Sequence, residues 1–90
     1  MQSTSRIPRV GDTKFEVLAV VVDHWKNATF GPTVEEIRDA VGLSVRSSVQ
    51  WHINDLVESG YLQHIPRKHR TLQPTQRGER LVEILRDIDA

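Results

Sequence analysis

The sequence predicts a mainly α-helical domain with a small β-hairpin, arranged as three helices, the hairpin and a C-terminal helix. Apolar residues recur at helical spacing in the segments assigned to helices. Two helix-start signals, at Thr33 and Ser44, flank a glycine. A short alternating segment with a basic turn follows at residues 61–73.

Composition narrows the possible classes of protein. The 90 residues suffice for one domain with a small core. Hydrophobic residues (38%) and charged residues (27%) occur in globular proportions, and the lack of cysteine excludes disulfides and cysteine-ligated zinc. The longest apolar run, residues 17–22, is too short to span a bilayer, and the first residues do not resemble a secretion signal. We therefore expect a soluble, cytoplasmic protein that does not bind membranes.

The charge distribution is more informative than the total charge. The 12 basic and 12 acidic residues cancel, whereas nucleic-acid-binding domains usually carry a basic excess. Half of the acids precede residue 44, and residues 59–78 contain no acid. The basic residues in that segment are Arg67, Lys68, Arg70 and Arg77. A local positive field can still attract a polyanion.

The first helix follows a polar segment, residues 1–11, that we interpret as a flexible arm. Thr13 begins the helix, and Glu16 three residues later predicts a capping box. The run at residues 17–22 would by itself suit a strand, because β-branched residues favour strands, but the cap and the length favour a helix. The predicted core stripe is Phe15, Leu18, Ala19, Val22 and Trp25.

The second helix begins at Thr33, where Glu36 predicts another capping box. Gly42 is placed to end this helix in a left-handed conformation, and Leu43 anchors the turn. The inward residues are Val34, Ile37, Ala40 and Val41.

The third helix is predicted from its cap, Ser44, to Ser59, with Gly60 ending it. Its inward stripe is Val49, Ile53, Leu56 and Val57, with Val45 one turn before. Its opposite face carries Ser47, Gln50, Trp51 and Asn54, flanked by Arg46 and Ser48.

The C-terminal part begins with the hairpin, formed by strands around residues 61–65 and 71–73. Pro74 and Thr75 then end the strand and start the last helix. Its apolar stripe is Leu81, Ile84, Leu85 and Ile88, with Val82 alongside. This stripe either folds back on the first helix or pairs with a second copy of the chain. Pairing is favoured, because an uncovered apolar stripe is costly in so small a domain.

This order of elements is that of a winged helix-turn-helix, whose recognition helix fits the DNA major groove. Short polar side chains at the front of such a helix suit readout of base edges. Gln50 can bond an adenine, and Arg46 a guanine or a phosphate. The candidate DNA contacts are Ser44, Arg46, Ser47, Ser48, Gln50 and Asn54. Trp51 either contacts sugars or a thymine methyl group, or packs as core against the wing.

The tip of the hairpin is the predicted wing. It carries Arg67, Lys68, His69 and Arg70, which suit the phosphates beside the minor groove.

No catalytic, metal or cofactor site is predicted. The four histidines lie on different elements without paired ligand spacing, so we expect no metal. His52 is expected to bond a backbone group at the edge of the core. No nucleophile stands with a recognisable base, and there is no glycine-rich phosphate loop, so we expect neither an enzyme nor a small-molecule ligand.

Three stretches keep a regular spacing across the second and third helices and into the wing. They are Pro32-Thr33-x-x-Glu36-Ile37, Val41-Gly42-Leu43 and Ser47-Ser48-Val49-x-x-His52-Ile53-x-x-Leu56-x-x-x-Gly60-Tyr61-Leu62. These stretches resemble the DNA-binding domain of LexA-type repressors, over residues 15–72. The resemblance implies a winged domain that binds operator DNA as a dimer. It also implies the groove-facing residues Val45, Ser47, Ser48, Gln50 and Trp51.

The sequence departs from that family in informative places. LexA-type repressors continue into a self-cleaving peptidase domain with a Ser/Lys pair, which we do not expect in a chain ending at Ala90. Family members often have serine where Val45 stands and a small or polar residue where Trp51 stands, so their target sequence is not transferred. The helix after Thr75 has no counterpart in that domain and resembles the closing helix of MarR-like regulators.

The sequence thus predicts a sequence-specific, double-stranded DNA-binding transcriptional regulator, a repressor, acting as a homodimer in a bacterial or phage-infected cell. Its parts are an N-terminal arm (1–11), the winged domain (12–74) and a C-terminal dimerisation helix (75–90). The alternative is a winged-helix protein-interaction module that does not bind DNA. Zero net charge and an exposed Trp51 motivate that alternative.

Overall fold

The computed structural model describes Pro8 and residues 11–28, 30–64 and 72–89. The elements in chain order are α1 Thr13–Asn27, α2 Val34–Val41, α3 Arg46–Glu58, β1 Leu62–His64, β2 Leu72–Pro74 and α4 Gln76–Asp89. The two strands pair antiparallel, with Leu62 opposite Pro74 and His64 opposite Leu72. This arrangement confirms the predicted fold class, a winged helix-turn-helix with a further C-terminal helix. Of the proposed N-terminal arm, Pro8 is fully buried and Gly11 is exposed.

Helix α1 lies at the centre of the fold, in contact with α2, α3, α4 and β2. The helical interpretation of residues 17–22 is therefore correct. The predicted stripe omitted Val17 and Val21, which are both fully buried. A helix surrounded by partners buries residues all round, so a single stripe underestimates its core face. Trp25 fastens α1 to the hairpin, because its indole N–H donates a hydrogen bond to the carbonyl of Leu72 at 2.7 Å.

Helix α2 begins and ends as the sequence predicts. The capping box is present: the Glu36 amide donates to Thr33 Oγ1 at 3.1 Å, and the Thr33 amide donates to Glu36 Oε1 at 2.9 Å. Gly42 follows with φ +85°, a left-handed conformation that glycine adopts without steric cost. Its amide donates to the carbonyl of Arg38 at 2.8 Å, which closes the helix.

The predicted caps of α1 and α3 are wrong. Asp12, not Thr13, is the N-cap of α1, and no side-chain capping bond forms there. Val45, not Ser44, is the N-cap of α3, again without a side-chain bond. The N-cap is the last residue with an extended backbone before the helix begins. Asp12 and Val45 both have such a backbone.

This shift also changes the position of Val45. The sequence placed it in the inward stripe of α3, but it precedes the helix and is 51% exposed. The rest of the stripe is confirmed: Val49, Ile53 and Leu56 are buried, and Val57 is half-buried against the core.

A buried ion pair joins α1 to α3. Lys14 Nζ lies 2.5 Å from Asp55 Oδ2, and both side chains are almost wholly removed from solvent. This pair was not predicted from the sequence. Breaking such a pair from one side leaves a charge without its counterion in a region of low dielectric.

Helix α4 begins at the predicted place and folds back on α1. Thr75 Oγ1 accepts a hydrogen bond from the Gly78 amide at 3.1 Å and donates one to the carbonyl of Gly60 at 2.6 Å. The backbone approaches so closely at Gly78 that a Cβ there would lie 2.2 Å from the carbonyl oxygen of Tyr61. Glycine at residue 78 is therefore required for this docking.

The apolar stripe of α4 is divided between the two predicted alternatives. Val82, which the sequence placed only beside the stripe, is buried against the core, and Leu81 and Leu85 are half-buried there. The prediction favoured pairing with a second copy over folding back, and it is corrected for these three residues, which pack against the core of the same chain. Ile84 and Ile88 are nevertheless 52% and 76% exposed.

The C-terminal half of α4 is also tied to α1 through charge. Arg86 donates two hydrogen bonds to the Asp23 carboxylate, at 2.9 and 2.8 Å. The hydrogen bonds from this guanidinium lower the pKa of Asp23. Among the described residues, no helix is both long enough and apolar enough to cross a bilayer.

The Asp55→Ala substitution is expected to lower the free energy of unfolding by about 3 kcal/mol, because it leaves Lys14 buried without its counterion. Urea denaturation followed by circular dichroism measures the change. Glu16→Gln, which removes an exposed carboxylate from α1, is the control and should change stability by about 0.5 kcal/mol or less. Equal losses in the two variants would contradict a structural role for the pair.

Candidate nucleic-acid interface

The polar side of α3 faces solvent because its other side is fixed in the core. Val49, Ile53 and Leu56 anchor the inner side. The predicted recognition residues are all exposed; they are Ser44, Val45, Arg46, Ser47, Ser48, Gln50, Trp51 and Asn54. We call Ser47, Gln50, Trp51 and Asn54 the outer face of α3.

Trp51 is an exposed residue and not part of the core. Its side chain is 58% exposed, and its ring lies edge-to-face on the ring of His52 with centroids 5.2 Å apart. The alternative in which it packs against the wing as core is therefore wrong. The indole borders a shallow depression of about 450 Å³ along α3, which is also lined by Val34, Arg46, Ser47, Gln50 and Asn54.

Gln50 and Asn54 support each other one turn apart. Gln50 Nε2 donates a hydrogen bond to Asn54 Oδ1 at 3.0 Å. The bond uses one of the two N–H groups of Gln50 and leaves its carbonyl oxygen and its second N–H for a ligand. Those two groups are the ones that pair with the N6 and N7 atoms of adenine. The bond also restricts the rotamers of both side chains.

Arg46 is part of a surface ion pair that crosses from α3 to α2. Its Nε lies 3.3 Å from Glu35 Oε2. The other oxygen of Glu35 accepts a hydrogen bond from Arg38 Nη2 at 3.3 Å. Pairs this exposed contribute little to stability, so this contact affects the direction of the guanidinium more than the folding of the domain. This arrangement was not predicted from the sequence.

His52 lies between the outer face and the buried ion pair. It was expected to bond a backbone group, but its Nδ1 is buried without a hydrogen-bond partner among the described residues. Burial lowers the pKa of His52, the charge of Lys14 lowers it further, and Asp55 offsets part of the shift. Protonation of His52 therefore opposes the packing that supports α3.

The stem of the wing is formed by β1 and β2, where Gln63 and Gln73 lie opposite each other and share a side-chain hydrogen bond of 3.4 Å. The proposed phosphate contacts, Arg67, Lys68, His69 and Arg70, lie outside the described residues.

The described residues contain no cluster of three or more His, Asp or Glu side chains arranged for a metal. Of the histidines in this part of the chain, His24 lies on α1, His52 on α3 and His64 on β1.

Residues 11–71, which include α1, α2, α3 and β1, match the family model for the LexA DNA binding domain. The chain belongs to the LexA DNA-binding domain family. This confirms the resemblance inferred from residues 32–62. The family is defined by a DNA-binding domain and not by a catalytic one, and it does not favour a module that avoids DNA. Helix α4 lies beyond the matched region.

Curated LexA repressors are similar to this chain in sequence. The LexA repressor of Limosilactobacillus reuteri is 51% identical over 49 residues, which are 54% of this chain and 24% of that protein. The LexA repressor of Lactobacillus acidophilus is 42% identical over 69 residues, or 76% of this chain and 33% of that protein. That of Ligilactobacillus salivarius is 33% identical over 70 residues, or 78% and 34%.

The chain thus spans about a quarter to a third of the length of the curated LexA repressors it matches. No solved structure matches it.

The stability of this LexA-type domain is expected to fall as the pH drops below about 6.5, the ordinary pKa of histidine. The reason is that unfolded His52 takes up a proton there, whereas folded His52, with its lowered pKa, does so only at lower pH. Above that range both states are neutral and the stability is fully present. Urea denaturation between pH 7.5 and 5 measures the slope.

His52→Gln is expected to flatten this slope, and His64→Gln, at an exposed position of β1, is expected to keep it. A slope that survives in His52→Gln would assign the pH dependence to another group.

Proposed function

We propose that this chain is the sequence-specific, double-stranded DNA-binding part of a transcriptional repressor. The outer face of α3 enters the major groove, and the wing lies on the phosphate backbone. One observation carries the proposal: in a chain of the LexA DNA-binding domain family, α3 is held by its apolar side and presents short polar side chains to solvent. Such a regulator acts at the nucleoid, in the bacterial cytoplasm.

The dimensions and chemistry of α3 suit this role. An α-helix with its side chains is about 10–12 Å in diameter, which matches the width of the major groove, about 12 Å. Serine at residues 47 and 48 keeps the front of the helix narrow, so the backbone can approach the bases closely. Val45 offers no side-chain acceptor at the N-cap, which leaves amides of the first turn for a phosphate oxygen.

Gln50 and Trp51 are the proposed base-reading residues. Gln50 is braced by Asn54 and has an acceptor and a donor left for an adenine. The indole of Trp51 can contact a thymine methyl group, which is the apolar feature of the major groove. An A·T pair presents the adenine N6 and N7 atoms and the thymine methyl group on the same major-groove edge. Gln50 and Trp51, which are adjacent in the chain, therefore suit a site that contains an A·T pair.

The C-terminal helix is the proposed dimerisation element. Ile84 and Ile88 are exposed on α4, and half-buried Leu81 and Leu85 border them. If two copies of α4 pair antiparallel about Ile84, Arg80 of one copy faces the partner's Asp87. Apolar contact at the centre and opposite charges at the flanks favour this pairing over the parallel one. Two recognition helices would then read half-sites about one helical turn apart, or a multiple of it.

Gln50→Ala is expected to reduce discrimination at particular base pairs by about 1–3 kcal/mol, because it removes a bidentate contact. The measurement uses a duplex selected by the wild-type protein from a random pool, and single-base variants of it, in fluorescence-anisotropy titrations. Glu83→Gln on α4 is the control. If the base preferences of Gln50→Ala match those of the wild type, the placement of α3 in the groove is wrong.

Arg67→Ala combined with Lys68→Ala is expected to weaken binding to all duplexes alike. The slope of log K against log salt should fall by about 2, because each phosphate that a cation no longer neutralises lowers the slope by close to one unit. Titrations over a salt series measure this slope. An unchanged slope would show that Arg67 and Lys68 of the wing do not contact phosphates.

Ile84→Glu is expected to convert a dimer into a monomer in analytical ultracentrifugation, because it buries a charge at the centre of the proposed contact. Ala40, which the sequence placed on the inward side of α2, is exposed, so Ala40→Glu adds the same charge away from α4 and serves as the control. A wild-type chain that sediments as a monomer at tens of micromolar would contradict dimerisation through α4.

A further inference from the structure

Four charged side chains run in alternating sign from α2 to the front of α3. Asp39 Oδ1 lies 3.7 Å from Arg38 Nη2, and the same nitrogen donates to Glu35 Oε1 at 3.3 Å. Glu35 Oε2 lies 3.3 Å from Nε of Arg46. Each oxygen of Glu35 thus faces a different arginine, one on its own helix and one on the recognition helix. Arg38 is half-buried, so it fixes the carboxylate that Arg46 contacts.

The atom of Arg46 that Glu35 contacts determines what remains for DNA. A guanidinium can form paired hydrogen bonds through its Nε side or through its two terminal nitrogens. Glu35 lies at Nε, which leaves the two terminal nitrogens available. Paired donors of this kind match O6 and N7 of guanine, the commonest specific contact in the major groove. Because Arg46 is already held on one side, it loses less rotamer freedom when it binds.

The same carboxylate makes Arg46 a poor phosphate ligand. A negative charge 3.3 Å from the guanidinium reduces the local positive field. Sequence-independent binding depends on that field, whereas a guanine contact depends on the direction of two donors. Glu35 therefore weakens the contact of Arg46 with phosphates, which every DNA sequence has. It preserves the contact of Arg46 with guanine.

We propose that Glu35 is a positioning residue for specificity: it holds Arg46 for a guanine in the major groove and suppresses binding to DNA of unrelated sequence. The inference rests on the proposed function, and it adds a G·C base pair to the part of the site read by the first turn of α3. Neither Glu35 nor α2 needs to touch DNA for this effect.

The test compares two duplexes by fluorescence anisotropy at one salt concentration. One duplex is selected by the wild-type protein from a random pool, and the other has random sequence. Glu35→Gln is expected to tighten binding to the random duplex. It should also lower the specificity ratio, Kd for random over Kd for selected, by about fivefold or more, since one base contact contributes at least that much.

Two matched variants separate positioning from a general change in charge. Asp39→Asn removes the same charge from the same helix, but its carboxylate faces Arg38. It should tighten binding to both duplexes and leave the ratio unchanged. In an Arg46→Ala background, Glu35→Gln should no longer change the ratio. Replacing the critical guanine by 7-deazaguanine, which lacks the N7 acceptor, should cost the wild type more than Glu35→Gln.

The proposal is overturned if Glu35→Gln leaves the ratio unchanged, if Asp39→Asn lowers it equally, or if the effect persists without Arg46. Circular dichroism spectra of the variants confirm folding, which we expect because Glu35 is exposed and takes no part in the α2 capping box. Failure of the wild type to bind any duplex would refute the proposed function itself. Binding that responds to Gln50→Ala but not to Glu35→Gln would refute only this inference.

Discussion

The burial of α1 is the constraint on which the rest of the structure depends. Val17, Leu18 and Val21 are fully enclosed, because α2, α3, α4 and β2 all pack on this one helix. The Lys14–Asp55 pair adds a directional contact between α1 and α3. Since α3 can satisfy Asp55 and its apolar stripe in one orientation only, its polar side must face outward. The candidate interface is thus a consequence of how α1 is covered.

Zero net charge is compatible with a DNA-binding surface because the acids lie outside the front of α3. The segment 44–54 contains no acid, and Asp55 and Asp23 lie in ion pairs with Lys14 and Arg86. The field at the front of α3 is consequently set by Arg46 and by the helix N-terminus, and Glu35 moderates it. This balance favours selective over general attraction to DNA, as expected for a domain that must search many wrong sites.

Local features of the fold were predictable from the sequence, and features that depend on a distant partner were not. The α2 capping box, the left-handed Gly42 and the two sides of α3 follow from short-range spacing. The caps at Asp12 and Val45 depend on backbone angles that neighbouring residues can equally adopt. The division of the α4 stripe also depends on tertiary contact, because the backbone approach at Gly78 turns Val82 inward.

The same distinction applies to the candidate site. Exposure of the recognition residues could be predicted, since a periodic inner stripe implies an outer face. The Arg46–Glu35 pair could not, because it joins two helices whose relative position is set by the core. Asp55 was missed for a similar reason: a charge beside an apolar stripe looks ordinary until Lys14, 41 residues away, is placed next to it.

Chemical-shift mapping on the ¹⁵N-labelled chain tests the central claim most directly. A selected duplex is added, and the amide resonances of all elements are followed through the titration. The account predicts that the largest changes fall on the first three turns of α3 and on the hairpin, and that central α1 amides change little. Changes concentrated on α4 or α1, with α3 unaffected, would contradict it.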